Sequence, residues 1–145
     1  MKYMLGLSAL LAAGLLMLAQ GDTNRVVLVN HDKVNAAIYK GGSLVVTPDY
    51  TVTGSHREKP GNVEVHDKET DVIYVIEGDA TFVTGGTVVG LHQTKAGQSI
   101  GSETSGGESH HLTKGDVIVV PAGVPHWFKE VHPSVSYYVV KVIKP

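Results

Sequence analysis

The chain of 145 residues contains no cysteine. That absence excludes a disulfide framework, a thiolate zinc site and a cysteine nucleophile. It also excludes a lipid anchor on cysteine. Any metal must sit on imidazole and carboxylate, and stability must come from a packed core. Charge of one sign is lacking as well. The formal net charge is −2, so there is no general electrostatic case for a nucleic-acid partner. No Gly-x-Ser-x-Gly elbow, phosphate loop or internal repeat is visible. Helical periodicity is scarce. After Gly21 no convincing amphipathic helix is expected, and Val34–Tyr39 is ambiguous between a strand and a helical turn.

Long apolar runs are lacking with one exception, Met4 to Ala19. That run falls short of the roughly 20 apolar residues of a membrane span. Lys2 precedes it, and Ala19-Gln20-Gly21 follows as a small-x-small pattern. Residues 1–21 are therefore expected to be a signal peptide and residues 22–145 a single domain. The mature protein would be secreted or periplasmic, with no membrane partner after cleavage. The alternative is an uncleaved N-terminal anchor.

What is present is a series of short β-rich runs between Gly, Pro and Asp turn signals. The expected strands are Val26–Val29, Ser43–Thr47, Tyr50–Ser55, Val63–His66, Val72–Glu77, Thr81–Thr84, Thr87–Gly90, Val117–Val120, His126–Glu130 and Val135–Ile143. His110–Leu112 is a further short candidate. Leu91–Glu108 is Gly/Ser-rich and reads as one long surface loop. The fold class is all-β, an antiparallel sandwich or barrel. Val72–Ile76, Val117–Val120 and Tyr137–Val140 are apolar on both faces and need cover on both. The outer cover is expected from a second subunit, as a homodimer, or from the N-terminal segment of the same chain.

Two stretches share a design. Residues 61–78, GNVEVHDKETDVIYVIEG, place Glu64 and His66 two apart on a strand, hence on one face. Asp71 begins the next strand after a short turn. Residues 115–130, GDVIVVPAGVPHWFKE, place His126 just after a turn made rigid by Pro121 and Pro125. Ile73, Val75 and Phe128 share the parity of these polar residues and are expected to form an apolar cavity wall. Tyr74 and Trp127 have the opposite parity. His56, on the preceding strand, is a further cavity-lining candidate.

These stretches resemble the two motifs of the cupin superfamily, G-x5-H-x-H-x3,4-E-x6-G and G-x5-P-x-G-x2-H-x3-N. The second fits through His126, with Glu130 where Asn is usual. In the first, Gly61 lies closer than usual, Glu64 replaces the first His, His66 matches the second, and Asp71 replaces Glu. The resemblance spans roughly Val63 to Val140. It implies a small cupin-type antiparallel β-barrel of jelly-roll form. It also implies Glu64, His66, Asp71 and His126 as ligands of one divalent metal ion, Fe, Mn, Ni or Zn. The alternative is a metal-free barrel in which these residues form a hydrogen-bonded polar patch. Asp71 is one methylene shorter than the usual Glu.

Two functions are carried forward. One is a metal-dependent enzyme acting on a small organic molecule, of dioxygenase, isomerase or lyase type. The other is a non-catalytic module that binds a sugar or another small ligand.

Overall fold

The computed structural model describes residues 24–145. The proposed signal peptide and its cleavage point lie outside the described residues. The first element is a helix, α1 (His31–Lys40). The Asn30 side chain caps it by accepting from the Lys33 N–H at 3.1 Å. Asp32 and Lys40 complement its two ends, and Gly41 at φ 70° terminates it. The sequence left this segment open because ten residues carry only Val34, Ala37 and Ile38 at helical spacing. Val26–Val29, expected as a strand, takes no strand pairing among the described residues, and Val26, Val27 and Leu28 are exposed.

The strands are β1 (Gly42–Val46), β2 (Tyr50–Arg57), β3 (Val63–His66), β4 (Glu69–Thr84), β5 (Thr87–Val89), β6 (His92–Lys95), β7 (Gln98–Gly101), β8 (Glu103–Ser105), β9 (Glu108–Thr113), β10 (Val117–Val120) and β11 (His126–Ile143). Nine of them form one antiparallel sheet that curls into the barrel, and β5 with β8 forms a small separate ribbon. The spine is the pair β4–β11, in register from Thr84↔His126 to Glu69↔Ile143.

Two expected pairs of strands are thus single long strands. Val72–Glu77 and Thr81–Thr84 are halves of β4, and His126–Glu130 and Val135–Ile143 are halves of β11. The turn signals between them mark bends. Gly78 sits at φ 79°, and a Cβ there would collide with the Ser134 carbonyl oxygen. Facing it, β11 bulges between Val131 and Val135. A bulge with a glycine bends a strand without ending it. The bend lets each strand serve two edges. The first half of β4 pairs with β10 and its second half with β9, while the second half of β11 pairs with β2.

The expected loop Leu91–Glu108 is largely strand. It forms the β6–β7 hairpin, turning at Gly97 (φ 73°), and then β8. Its Ser, Thr, Gln and Gly content suits a hairpin with water on one side, and composition alone does not separate that from a loop. β7 pairs with β3 residue for residue, from Val63↔Gly101 to His66↔Gln98.

The core holds Ile73, Val75, Phe82, Val120, Phe128 and Tyr137 among others. Phe128 stands edge-on to Phe82 at 4.7 Å between ring centroids and stacks on Tyr137 at 4.8 Å. Outside the barrel, α1 covers β2. Gly54 allows the approach, since a Cβ there would lie 2.9 Å from the backbone of Ala37 and Ile38. This cover lies on β2, outside the three runs expected to need it. On the other side Tyr74, Val117 and Val119 stay exposed.

Candidate metal centre

Three strands converge on one point. β3 supplies Glu64 and His66, β4 supplies Asp71, and β11 supplies His126 at its first residue. Local sequence accounts for each placement. Residues 64 and 66 share a face because side chains alternate along a strand. Asp71 returns to that face after the tight turn at Asp67-Lys68. His126 is aimed by the Pro-Ala-Gly-Val-Pro turn, in which Gly123 takes φ 84°. The same turn clasps the first stretch, because the Gly123 N–H donates to the His66 carbonyl at 2.7 Å.

His66, Asp71 and His126 are 5%, 3% and 5% exposed, whereas Glu64 is half-buried on the side of the cavity. His66 Nε2 lies 3.4 Å from Glu64 Oε2 and 3.6 Å from Asp71 Oδ2. His126 Nε2 lies 3.5 Å from the same Asp71 oxygen. Ligand atoms of Glu64, His66 and His126 all lie within 4.8 Å of one another. These separations exceed hydrogen-bond length. They match donors that share an ion: atoms about 2.1 Å from a tetrahedral centre stand roughly 3.4 Å apart.

The ring nitrogens support the same reading. His126 Nδ1 donates to the Val124 carbonyl at 3.1 Å, which leaves Nε2 bare toward the centre. His66 Nδ1 is hydrogen-bonded to the Gln98 side-chain oxygen, which likewise points Nε2 inward. Outward-bonded Nδ1 with inward Nε2 is the arrangement that orients metal-binding imidazoles. His66 Nε2 is buried and has no hydrogen-bond partner. A buried polar atom left in that state calls for a partner that the protein does not itself supply. The donor set thus fits a divalent ion of the borderline class.

Charge at the centre is concentrated. Burial alone would lower the His66 pKa, but the Asp71 and Glu64 carboxylates outweigh it and raise it to about 9. Burial would raise Asp71, yet His126, His66 and Lys141 together hold it well below the usual carboxylate range. His66 is the main cause that lowers Glu64, against its burial, with help from His126 and Arg57.

Sequence reasoning missed four side chains here. Lys141 stands opposite Asp71 in the β4–β11 register and donates to both its carboxylate oxygens at 2.9 Å. It also approaches Glu69 at 3.2 Å. Its signal was available: it is the single charge in YYVVKVI, at the inward parity of Tyr137 and Val139. Glu69 joins His66 and Asp71 in a second close acidic group. Gln98 came from the segment read as a loop. Arg57 was overlooked beside His56.

Two cavity-lining expectations need correction. Beside the centre lies a cavity of about 210 Å³, lined by Arg57, Ile73, Phe128 and Tyr137 among others. Ile73 and Phe128 stand where expected. Val75 shares their parity but lies deeper, in the closed core. His56 is not on this wall. Period-two alternation turns Thr53, Ser55 and Arg57 inward and His56 outward. There it shares a hydrogen bond with the Ser136 hydroxyl at 2.8 Å and lines a separate depression with Tyr39 and Lys59. His31, His92 and His132 stand away from this cavity, on α1, β6 and β11. They face Asp32, the Gly90 carbonyl and Glu130.

Comparison with known proteins agrees with this architecture. The structure is similar to BH2720 from Bacillus halodurans, with a TM-score of 0.59, 15% identity, and 87% of each chain covered. It is also similar to the Schizosaccharomyces pombe Cnp3 cupin domain, with a TM-score of 0.53, 13% identity, and 72% of this chain and 60% of that one covered. A third likeness is to the DMSP lyase DddQ from Ruegeria pomeroyi, with a TM-score of 0.51, 14% identity, and 70% and 45% covered. At such identities the likeness concerns the fold. Comparison with curated protein sequences finds no match. The profile of the family described as Cupin matches residues 62–145, from just before Glu64 through the whole of β11. The chain belongs to the cupin family.

Proposed function

We propose that the protein is a metal-dependent enzyme acting on a small organic molecule in the barrel cavity. The observation that carries this is the buried, unpartnered His66 Nε2, facing Glu64, Asp71 and His126 at ion-sharing distances. Glu64, His66 and His126 would hold the ion. Asp71 would approach as a fourth ligand, with Lys141 fixing its carboxylate. When bound, a divalent metal supplies Lewis-acid polarisation, or oxygen activation if it is iron.

The chain's own residues do the rest. Phe128, Ile73 and Tyr137 give the cavity a largely apolar wall, which strengthens electrostatic interactions beside it. Gln98 and the Val124 carbonyl hold the two imidazoles in their tautomers. Lys141 holds the Asp71 carboxylate that stands between the two imidazoles. The family fold accommodates both an enzyme and a plain binding module, and the converging donor set beside a cavity favours the enzyme. The N-terminal sequence alone supports placing the protein outside the cytoplasm.

Elemental analysis of the purified protein tests the reading. One equivalent of Fe, Mn, Ni or Zn is expected, lost in both His66→Ala and His126→Ala. Protein that stays metal-free after incubation with each of the four ions would sink the proposal.

A further inference from the structure

Arg57 is the charged side chain of the cavity wall whose guanidinium is least used by the protein. Its Nε donates to the Tyr137 hydroxyl at 2.8 Å. Its carbon lies 5.1 Å from the centroid of the Phe128 ring. One terminal nitrogen stands 3.6 Å from Glu64 Oε1, a loose ion pair rather than a hydrogen bond. The other lies beside Gly61, where a Cβ would come within 2.8 Å of it. The group is thus positioned by two aromatic rings, with its terminal N–H groups uncommitted. Such a planar fork matches a carboxylate.

Charge balance points the same way. Glu64, Glu69 and Asp71 face Arg57 and Lys141. With a divalent ion on neutral imidazoles, the cluster keeps one positive charge in excess, which suits a monoanion. The wall is apolar at Ile73, Phe128 and Val139. The cavity of about 210 Å³ equals roughly seven water volumes of about 30 Å³ each. A volume of that order suits a small ligand.

We propose that Arg57 is the carboxylate-binding residue of this cavity, and that its ligand is a small monocarboxylate with an apolar body. The inference deepens the metal-enzyme reading and rests on it for the charge excess. It separates the ligand from a neutral sugar.

Calorimetry with benzoate, benzamide and glucose tests it, on the purified full chain with and without zinc. Benzoate is expected to bind the zinc form, with benzamide and glucose at least tenfold weaker. Arg57→Gln should weaken benzoate by roughly ten- to a hundredfold and leave zinc content unchanged. Arg57→Lys should recover part of the loss. If Arg57→Gln does not fold by circular dichroism, Gly61→Ala, which crowds the guanidinium, should still weaken benzoate severalfold. Benzoate affinity unchanged in these variants, no benzoate binding at all, or equal binding of benzamide overturns the proposal. Zinc loading with Arg57-independent benzoate binding removes the carboxylate site alone. Arg57-dependent binding to a chain that takes no metal removes the metal reading alone.

Discussion

His66 and His126 are equally buried and point the same nitrogen at the same place, yet they are held by different means. His126 is oriented by a carbonyl two residues back, inside a turn stiffened by two prolines. His66 is oriented by Gln98, which arrives on a hairpin from 32 positions further along the chain. His66 also stands within 4 Å of three carboxylates, Glu64, Glu69 and Asp71, whereas His126 pairs closely with Asp71 and lies farther from Glu64. One imidazole is set by local backbone, the other by tertiary pairing and charge.

The largest expected consequence of that difference is in pH dependence. The His66 pKa is raised in the folded, metal-free protein to about 9. A raised folded value means that its stabilising contribution is complete below the unfolded value of about 6.5. The contribution is then lost as pH climbs through about 9, and it amounts to about 3 kcal/mol. Urea unfolding of metal-free protein from pH 6 to 10 should show this fall, and His66→Gln should flatten it. A slope that survives in His66→Gln assigns it elsewhere. Because metal must displace the His66 proton, apparent zinc affinity should rise with pH up to about 9.

Next in size is the loss of orientation. Gln98→Ala should weaken metal binding by roughly 10- to 100-fold, the usual effect of removing the partner of a metal-binding imidazole. Val124→Ala keeps the carbonyl that holds His126 and should leave affinity near the unmodified value. Competition titration with a chelator measures both. Equal losses would erase the distinction between the two imidazoles.

Much of the site was legible because parity along a strand is a local rule. It placed Glu64 with His66, and Ile73 and Phe128 on the cavity wall. The same rule, applied to YYVVKVI and SHR, would have found Lys141 and Arg57 and turned His56 outward. Gln98 was not legible, since nothing within its own hairpin announces pairing with β3. The bends at Gly78 and at Val131–Val135 were read as strand ends because turn residues look alike at a bulge and at a hairpin. Helix α1 escaped because three apolar positions in ten residues make a weak period.

The smallest expected effect concerns the clasp between the two stretches. Gly123→Ala meets open space but must hold φ near 84°. That conformation costs an L side chain about 1 kcal/mol, measurable as a lowered midpoint of thermal unfolding. The Gly123 N–H bond to the His66 carbonyl should loosen with it, and faster amide hydrogen exchange at residue 123 reports this.

Strand β11 carries His126, Phe128, Tyr137 and Lys141, and it pairs with β2, β3 and β4. Everything made before it is an open sheet with a half-built pocket. The proposed four-residue set is completed only when His126 is brought beside Glu64, His66 and Asp71 by the pairing of β11. Under the proposed metal reading, the ion is held only once β11 has paired with β3 and β4.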